Sequence, residues 1–476
     1  MQNFHHLAIQ KYEAACNFKE LQHTYTKTVQ NFSSTKFFDS FSALSIFSES
    51  RFKMIPLAIQ ERLRTSFNRY PLLLDILGSL HEHAGKVLLV GGAVRDLFLD
   101  RSIHDLDFEV YGLTLEQLQN ILQQYGYVSL VGKSFGVLRV HGLDIDWSLP
   151  RTDSSGRHPI VSYDPWMSYE QACIRRDLTI NAMGIDLQSM QLVDPYDGLQ
   201  DLESRLLRAP DLNFFVQDPL RLLRVMQFVG RFEMHVDQEL SKVCQSIDLS
   251  SISSERIEQE FTKLFLWSQR PSLGLQWLMN IQQFSKILPG VILNQKTLLQ
   301  LDAAGQQEYL TDQDKLVVMW AVIAAQLKYV IDFHEFQEIS RQKMQPWIDL
   351  MQSISQQRCL SKQVARLIAY RYIFVAHATD AQLKWLADWL APDVSLRLFF
   401  MYLRVVNVEL DVDAMISRVI LLHVYDYPEL PVLTGQDLSD VAQGKQLGQL
   451  LKKAYQIQID QAITDRSVLK RKVLML

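Results

Sequence analysis

The 476-residue chain is poor in cysteine: Cys16, Cys173, Cys244 and Cys359 are scattered and never form a CxxC pair. This argues against a zinc site or a disulfide framework and fits a reducing cytoplasm. Long apolar runs are absent, so no membrane span is expected. The first residues, MQNFHHLAIQKYEAACNFKE, lack a basic start followed by an apolar core, and their acidic residues disfavour a transit peptide. An excess of positive charge is missing as well. A net charge of -5 offers no bulk attraction for nucleic acid, so any RNA contact has to come from local basic patches. Short-period repeats and low-complexity tracts are also absent.

What is present is an ordinary globular balance, 48% hydrophobic and 21% charged, in a chain long enough for two or more domains. Residues 1–70 are rich in Phe, Ser and Thr, with weak periodicity, and read as an N-terminal extension. PLLLDILGSLHEHA (71–84) has the pattern of an amphipathic helix, and KVLLV (86–90) that of a short buried strand. Gly91 and Gly92 end the strand, and AVRDLFL reads as a helix. DLDFEVY (105–111) alternates, with Asp105, Asp107 and Glu109 on one face and Leu106, Phe108 and Val110 on the other. TLEQLQNILQQYG is a helix ended by Gly126. FGVLRV and LDIDWSL form two strands joined at His141-Gly142, a plausible hairpin. Past residue 205 or so the chain reads as helix after helix. The expected fold class is therefore α+β, a small mixed head (71–208) followed by a helical neck (209–285) and a helical body and tail (286–476).

The acidic strands carry the chemistry. Asp105 and Asp107 stand at i and i+2, as do Asp144 and Asp146 on the later strand. If the two strands are neighbours, their carboxylates converge, and carboxylate oxygens at one focus suit Mg²⁺. A strand, a Gly-Gly pair and a helix start make a phosphate cradle from Gly91 and Gly92, with Arg95 one turn further on and Asp96 able to hold an arginine. The GKSFG stretch (132–136) resembles the end of a P-loop, but the required earlier glycine is out of register and a strand follows, so a Walker-type site is rejected. In CIRRDLTINAMGID, Arg176 can neutralise a triphosphate. Asp177 and Asn181 share a face if the segment is helical, where they can bond a ribose or orient the arginine. In QDPLRLLRVMQF, Asp218, Arg221 and Arg224 are spaced by three on a helix opening with Pro219. Asp218 and Arg221 together offer acceptors and donors for a base edge. Arg256 and Glu260 stand at i and i+4 and read as a structural clamp beside that helix.

Taken in order, LLVGGAVRD, HDLDFEV, LDIDWSLPR, RRDLTINAM, DPYDGLQDLESRLLR, QDPLRLLR and SSERIEQE resemble the bacterial-type tRNA nucleotidyltransferase and poly(A) polymerase family. The resemblance runs over roughly residues 71–476. It implies a polymerase-β-like head with helical neck, body and tail, and transfer of a nucleotide from CTP or ATP to an RNA 3′ hydroxyl with loss of pyrophosphate. By the same resemblance Asp105 and Asp107 bind Mg²⁺, and Asp146 is the candidate third catalytic carboxylate, with Asp144 as its rival. Gly92 and Arg95 hold the triphosphate, and Arg176, Asp177 and Asn181 bind triphosphate and sugar. Asp218 and Arg221 pair with the incoming base, supported by Arg224. The family's usual Glu before the base-reading Asp is Gln217 here, and Gln227 stands where some relatives carry Arg. Ala324-Ala325 occupy the place expected for the His-Asp pair of an HD phosphohydrolase, so that activity is expected to be absent. The leading expectation is CCA addition. A poly(A) polymerase, a CC-only or A-only enzyme and a non-catalytic RNA-binding protein are its alternatives. Lys452, Lys453, Arg466, Lys470, Arg471 and Lys472 are candidates for an RNA-binding patch.

Overall fold

A computed structural model describes residues 52–103, 105–131, 136–153, 161–329, 337–371, 377–407 and 410–475. The GKS of the rejected P-loop and most of the N-terminal extension lie outside them. The chain divides into two compact units, one reaching to Ser204 with Ala209–Asp211, the other holding Arg205–Arg208 and Leu212 onward.

The first unit is built on an eight-stranded sheet in the order β1-β10-β9-β2-β3-β6-β5-β4. The strands are β1 (Phe52–Met54), β2 (Lys86–Val90), β3 (Leu106–Tyr111), β4 (Val128–Val131), β5 (Val137–Val140) and β6 (Ile145–Ser148). A small separate pair follows, β7 (Arg151–Asp153) with β8 (Val161–Tyr163), and then β9 (Gly184–Asp186) and β10 (Gln191–Val193). All neighbours in the large sheet are antiparallel except β3 and β6. That parallel pair needs a long crossover, supplied by the Leu115–Gln123 helix and the β4–β5 hairpin. The helix starts cleanly because Thr114 and Gln117 form a capping box.

β3 alternates as its sequence requires. Phe108 and Val110 are fully buried; Phe108 packs on Trp147 at 4.8 Å between centroids and on Phe67 at 6.0 Å. Phe67 ends the Leu57–Phe67 helix, and Ile55 and Leu63 are also buried. Residues 52–70 are therefore part of the head's core, with β1 pairing β10 at the sheet edge.

The second unit is almost wholly helical, as the loss of strand signals past residue 205 implies. Among the described residues its strands are a two-residue parallel pair, Leu206–Leu207 with His235–Val236. Trp320, at 1% exposure, lies 5.2 Å from both Phe261 and Phe265 at its centre. Ala324 closes the Asp312–Ala324 helix fully buried, and Ala325 caps it; neither offers a metal-ligating atom. A satellite core of Leu433, Leu438, Ala454, Leu469 and Val473 holds the tail together. Within the tail Arg466 is bound to Asp437 and Lys470 sits 3.5 Å from Asp440, while Lys452 and Lys453 are exposed. Cys173, Cys244 and Cys359 are free thiols, two of them buried. No helix among the described residues is long and apolar enough to cross a membrane.

Phe108 links two ring contacts beneath the acidic face. Phe108→Ala is expected to cost about 3 to 5 kcal/mol of head stability, read by denaturant titration.

Candidate active site

The parallel pairing of β3 with β6 sets Asp107 directly opposite Asp146, and Leu106 opposite Ile145. Residues opposite one another in a sheet share a face, so the two carboxylates stand abreast. Asp105, one step before β3, is exposed, Asp107 is half-buried, and Glu109 has no exposed surface. The acidic face thus descends from solvent into the protein. Asp144 lies outside the strand with a side chain 71% exposed, so of the two rivals only Asp146 faces Asp107.

Burial pushes the Asp107 carboxyl up to about 6, with Asp146 adding to the rise and Arg176 opposing it. Asp146 is relieved differently. Arg139, reaching over from β5, donates from Nε at 2.7 Å and lies 2.6 Å away through Nη2, and its Nη1 sits 3.6 Å from Asp144.

The glycine pair is placed as the sequence suggests. Gly91 has φ +72° and ψ −138°, a conformation open in practice to glycine alone, and it caps the Gly92–Phe98 helix. A Cβ on Gly91 would come within 3.4 Å of Arg176 Nη1 and 3.5 Å of Asp107 Oδ2. The glycine is therefore flanked by the arginine and by the acidic strand. Arg95 folds back over Gly92, its Nη2 lying 3.3 Å from where a Cβ would be. It is buried; it donates to Asp96 at 2.9 and 3.0 Å and to Asn181 Oδ1 at 2.6 Å. The expectation that Asp96 holds an arginine is met, and the arginine is Arg95.

The segment after the Tyr169–Cys173 helix departs from expectation. Asp177 and Asn181 do not share an α-helical face: Asp177 lies in a bend, and Thr179–Asn181 forms a 3₁₀ turn. The contact survives the change, because Asn181 Nδ2 donates to Asp177 Oδ1 at 2.9 Å, and that oxygen also accepts from the Leu178 amide. Arg176 Nη1 donates to the Asn181 carbonyl at 3.3 Å. The head therefore brings Gly91, Gly92, Arg95, Asp107, Asp146, Arg176, Asp177 and Asn181 into one connected neighbourhood.

Residue-type reasoning passed over two members. Glu109 receives Arg175 at 3.2 Å and Arg176 at 3.5 Å, and Arg139 engages Asp146. Both signals were in the pattern: Glu109 continues the Asp105, Asp107 alternation, and Arg139 is the lone cation of FGVLRV.

In the second unit Asp218 precedes the Leu220–Phe232 helix and accepts from the Leu220 amide at 3.1 Å. Arg256 Nη2 donates to its two oxygens at 3.3 and 3.0 Å. The expected Arg256–Glu260 clamp is thus not the pairing formed. Glu260 is buried with Lys263 at 2.7 Å, and Arg256 belongs to Asp218. Arg221 does not turn to Asp218 either; its Nη1 donates to the Phe214 carbonyl. Arg224 lies over Phe228 at 5.7 Å. Gln227 is buried, with its amide nitrogen lacking a hydrogen-bond partner.

As a metal site the head offers oxygen donors only. Among the described residues no three His, Cys, Asp or Glu side chains are already gathered around one point, since Asp146 is turned to Arg139 and Asp105 projects outward. Two carboxylates in register and a third on the same face nonetheless fit a hard divalent cation, whose charge would offset the crowding at Asp107.

Residues 87–208 match the family described as the poly A polymerase head domain. The multifunctional CCA protein of Stenotrophomonas maltophilia (strain K279a) is 38% identical over 215 residues, covering 43% of this chain and 51% of that relative. That of Haemophilus ducreyi (strain 35000HP) is 34% identical over 268 residues, 51% of this chain and 63% of the relative. The chain spans about half the length of the first of these relatives, 51%. A CCA-adding enzyme solved with ATP superposes on 89% of this chain and 97% of its own, with a TM-score of 0.64 at 18% identity. The Thermotoga maritima CCA-adding enzyme complexed with tRNA does so over 90% and 99%, with a TM-score of 0.62 at 19% identity. The first unit is a poly(A) polymerase-type head, and the fold is that of the CCA-adding enzymes.

Folding raises the Asp107 carboxyl from 3.8 to about 6, so the folded head holds that proton more tightly than the unfolded chain. Stability is therefore lost as pH rises through this window. Asp107→Asn should raise the melting temperature at neutral pH in EDTA. Added Mg²⁺ should raise the melting temperature of the wild type and leave the variant unmoved.

Proposed function

We propose that the protein is a template-independent RNA nucleotidyltransferase that completes the 3′ CCA of tRNA from CTP and ATP. The observation that carries this reading is the register of Asp107 against Asp146 with Arg176 and Gly91 beside them. Carboxylates for a cation and a guanidinium for phosphate then lie within one side chain's reach, which nucleotidyl transfer requires and a solvated strand face does not. The relatives named as multifunctional CCA proteins and the CCA-adding enzymes solved with ATP, CTP and tRNA support it.

In this reading Asp105, Asp107 and Asp146 hold Mg²⁺, which would activate the RNA 3′ hydroxyl and neutralise the leaving pyrophosphate. The 3′ oxygen forms a bond to the α-phosphorus as the bond to the β-phosphate oxygen breaks. Arg176 screens the triphosphate, and Gly91 and Gly92 let it approach the backbone closely. Arg95, Asp177 and Asn181 form the hydrogen-bonded support that fixes the sugar and phosphate side of the pocket. Most of the acceleration then comes from positioning and electrostatics, with no covalent intermediate.

Asp218 and Arg221 are proposed to read the base edge, with Arg224 behind them. The Asp218–Arg256 pair does not prevent this: its side chains are 39% and 47% exposed, and such pairs are worth about 0 to 1 kcal/mol. A base that offers better-placed donors can displace Arg256. Ala324 and Ala325 carry no side chain that could ligate a metal, which supports the reading that an HD phosphohydrolase is absent or inactive there. The cytoplasm, where tRNA is matured, is the proposed location.

The test is gel-resolved extension, with Mg²⁺, of tRNA ending at the discriminator base, tRNA ending in CC, and an unstructured oligonucleotide. Each is supplied with CTP, ATP or both. CCA on the first and a single A on the second are expected. Long A tracts on the oligonucleotide would make the protein a poly(A) polymerase, and no extension at all a non-catalytic RNA-binding protein. Asp105→Ala and Asp107→Ala should each abolish incorporation with the fold retained by circular dichroism. Asp218→Ala should lose discrimination between CTP and ATP as well as rate; unchanged selection would remove it from base reading.

A further inference from the structure

Glu109 has no exposed surface, yet it carries a carboxylate two residues beyond Asp107 on the same face of β3. A charge so placed is tolerated only if it is paired. Its partners come from outside the strand and from its end. Arg175 Nη2 lies 3.2 Å from Oε1, Arg176 Nη2 lies 3.5 Å from Oε2, and the Tyr111 hydroxyl donates to Oε2 at 3.2 Å. One carboxylate thus anchors two guanidiniums. Arg176 Nη1 and Asp107 Oδ2 lie 3.4 and 3.5 Å from the same point, the position a Cβ on Gly91 would take. Arg176 therefore stands within reach of two anions, Glu109 below and Asp107 beside it. If Arg176 closed on Asp107, it would cancel the charge meant for phosphate and occupy an oxygen meant for a cation. Burial makes Glu109 the stronger hold, because solvent does not screen it.

We propose that Glu109 is a positioning residue that holds Arg176, with Arg175, off Asp107 and presents it to the triphosphate of an incoming nucleotide. The role deepens the nucleotidyltransferase reading and rests on it. A purely structural ion pair would lower the melting temperature when broken and leave nucleotide affinity alone. A positioning pair shifts the two apart.

The experiment compares full-length wild type, Glu109→Gln, Arg176→Lys and the double variant. The readouts are equilibrium binding of ATP without RNA, KM and kcat for CTP and ATP on tRNA ending at the discriminator base, the Mg²⁺ concentration for half-maximal rate, and melting temperature. Loss of one charged hydrogen bond predicts that Glu109→Gln weakens ATP binding and raises nucleotide KM about tenfold, with kcat held within about threefold. The Mg²⁺ requirement should rise and the KM for tRNA should stay. The double variant should be no worse than the worse single one, since the residues act as one unit. Wild-type nucleotide affinity in Glu109→Gln, additive losses, or a change confined to melting temperature would each overturn the role. Should Glu109→Gln fail to fold, Glu109→Asp keeps the charge on a shorter stem and should show part of the KM rise; wild-type KM there overturns the role as well. The two readings separate cleanly. Weakened ATP binding in the variant with no RNA extended by wild type would uphold the positioning role and sink the polymerisation reading. Extension by wild type with an unchanged variant would do the reverse.

Discussion

Two carboxylates held abreast on adjoining parallel strands are the constraint around which the head is arranged. Asp107 and Asp146 face each other because β3 and β6 are the parallel pair of the sheet, and that pairing is fixed by apolar residues on the other face. Phe108 and Trp147 are opposite one another in the same register, fully buried, with their rings in contact. A slip of one residue would bring the acids into the core and the aromatics out, which the hydrophobic term forbids. The like-charge juxtaposition is thus imposed from beneath by packing, which holds the two backbone positions abreast while Asp146 turns to Arg139.

Everything charged nearby answers that imposition. Asp107 meets it by resisting ionisation, its carboxyl pushed up to about 6 by burial and by its neighbour. Asp146 meets it through Arg139. Arg176 opposes the rise at Asp107 while anchored elsewhere, on Glu109 and the Asn181 carbonyl. Arg95 is paired with Asp96 and also donates to Asn181, which in turn holds Asp177. The cations are thus distributed so that, among the described residues, none makes a salt bridge to Asp107. Under the proposed function, a poorly compensated carboxylate is one that a divalent cation would relieve, and leaving it so costs stability.

The sequence made the sheet chemistry legible because strand periodicity is a local property. The alternation in DLDFEVY and LDIDWSL placed Asp107 and Asp146 on one face and Phe108 and Trp147 on the other, and the Gly-Gly turn announced the left-handed Gly91. What stayed hidden depended on partners distant in the chain. Arg175 and Arg176 lie 66 and 67 residues from Glu109, and no spacing rule links them. The i, i+4 logic gave the right contact between Asp177 and Asn181 with the wrong backbone, since a tight 3₁₀ turn brings the two together as a helix would. The same logic failed at Arg256, where a partner 38 residues away displaced the local Glu260. Residues 52–70 looked featureless because few of their apolar side chains are buried, Ile55, Leu63 and Phe67 among them, while Met54 and Leu57 are exposed, so no continuous period forms.

Glu109 and Asp218 show how far burial decides the meaning of one chemistry. Each is a carboxylate bound by arginine at about 3 Å. The Glu109 side chain is 1% exposed against 18% for its arginines, while Asp218 and Arg256 are 39% and 47% exposed. In the first case separating the pair strands a charge in a low dielectric, so the arrangement persists whatever binds above it. In the second, water replaces each partner at little cost, so the pair opens whenever a ligand offers equivalent donors. Under the proposed roles, an arginine that binds phosphate needs the first kind of anchor, and a carboxylate that reads a base needs the second.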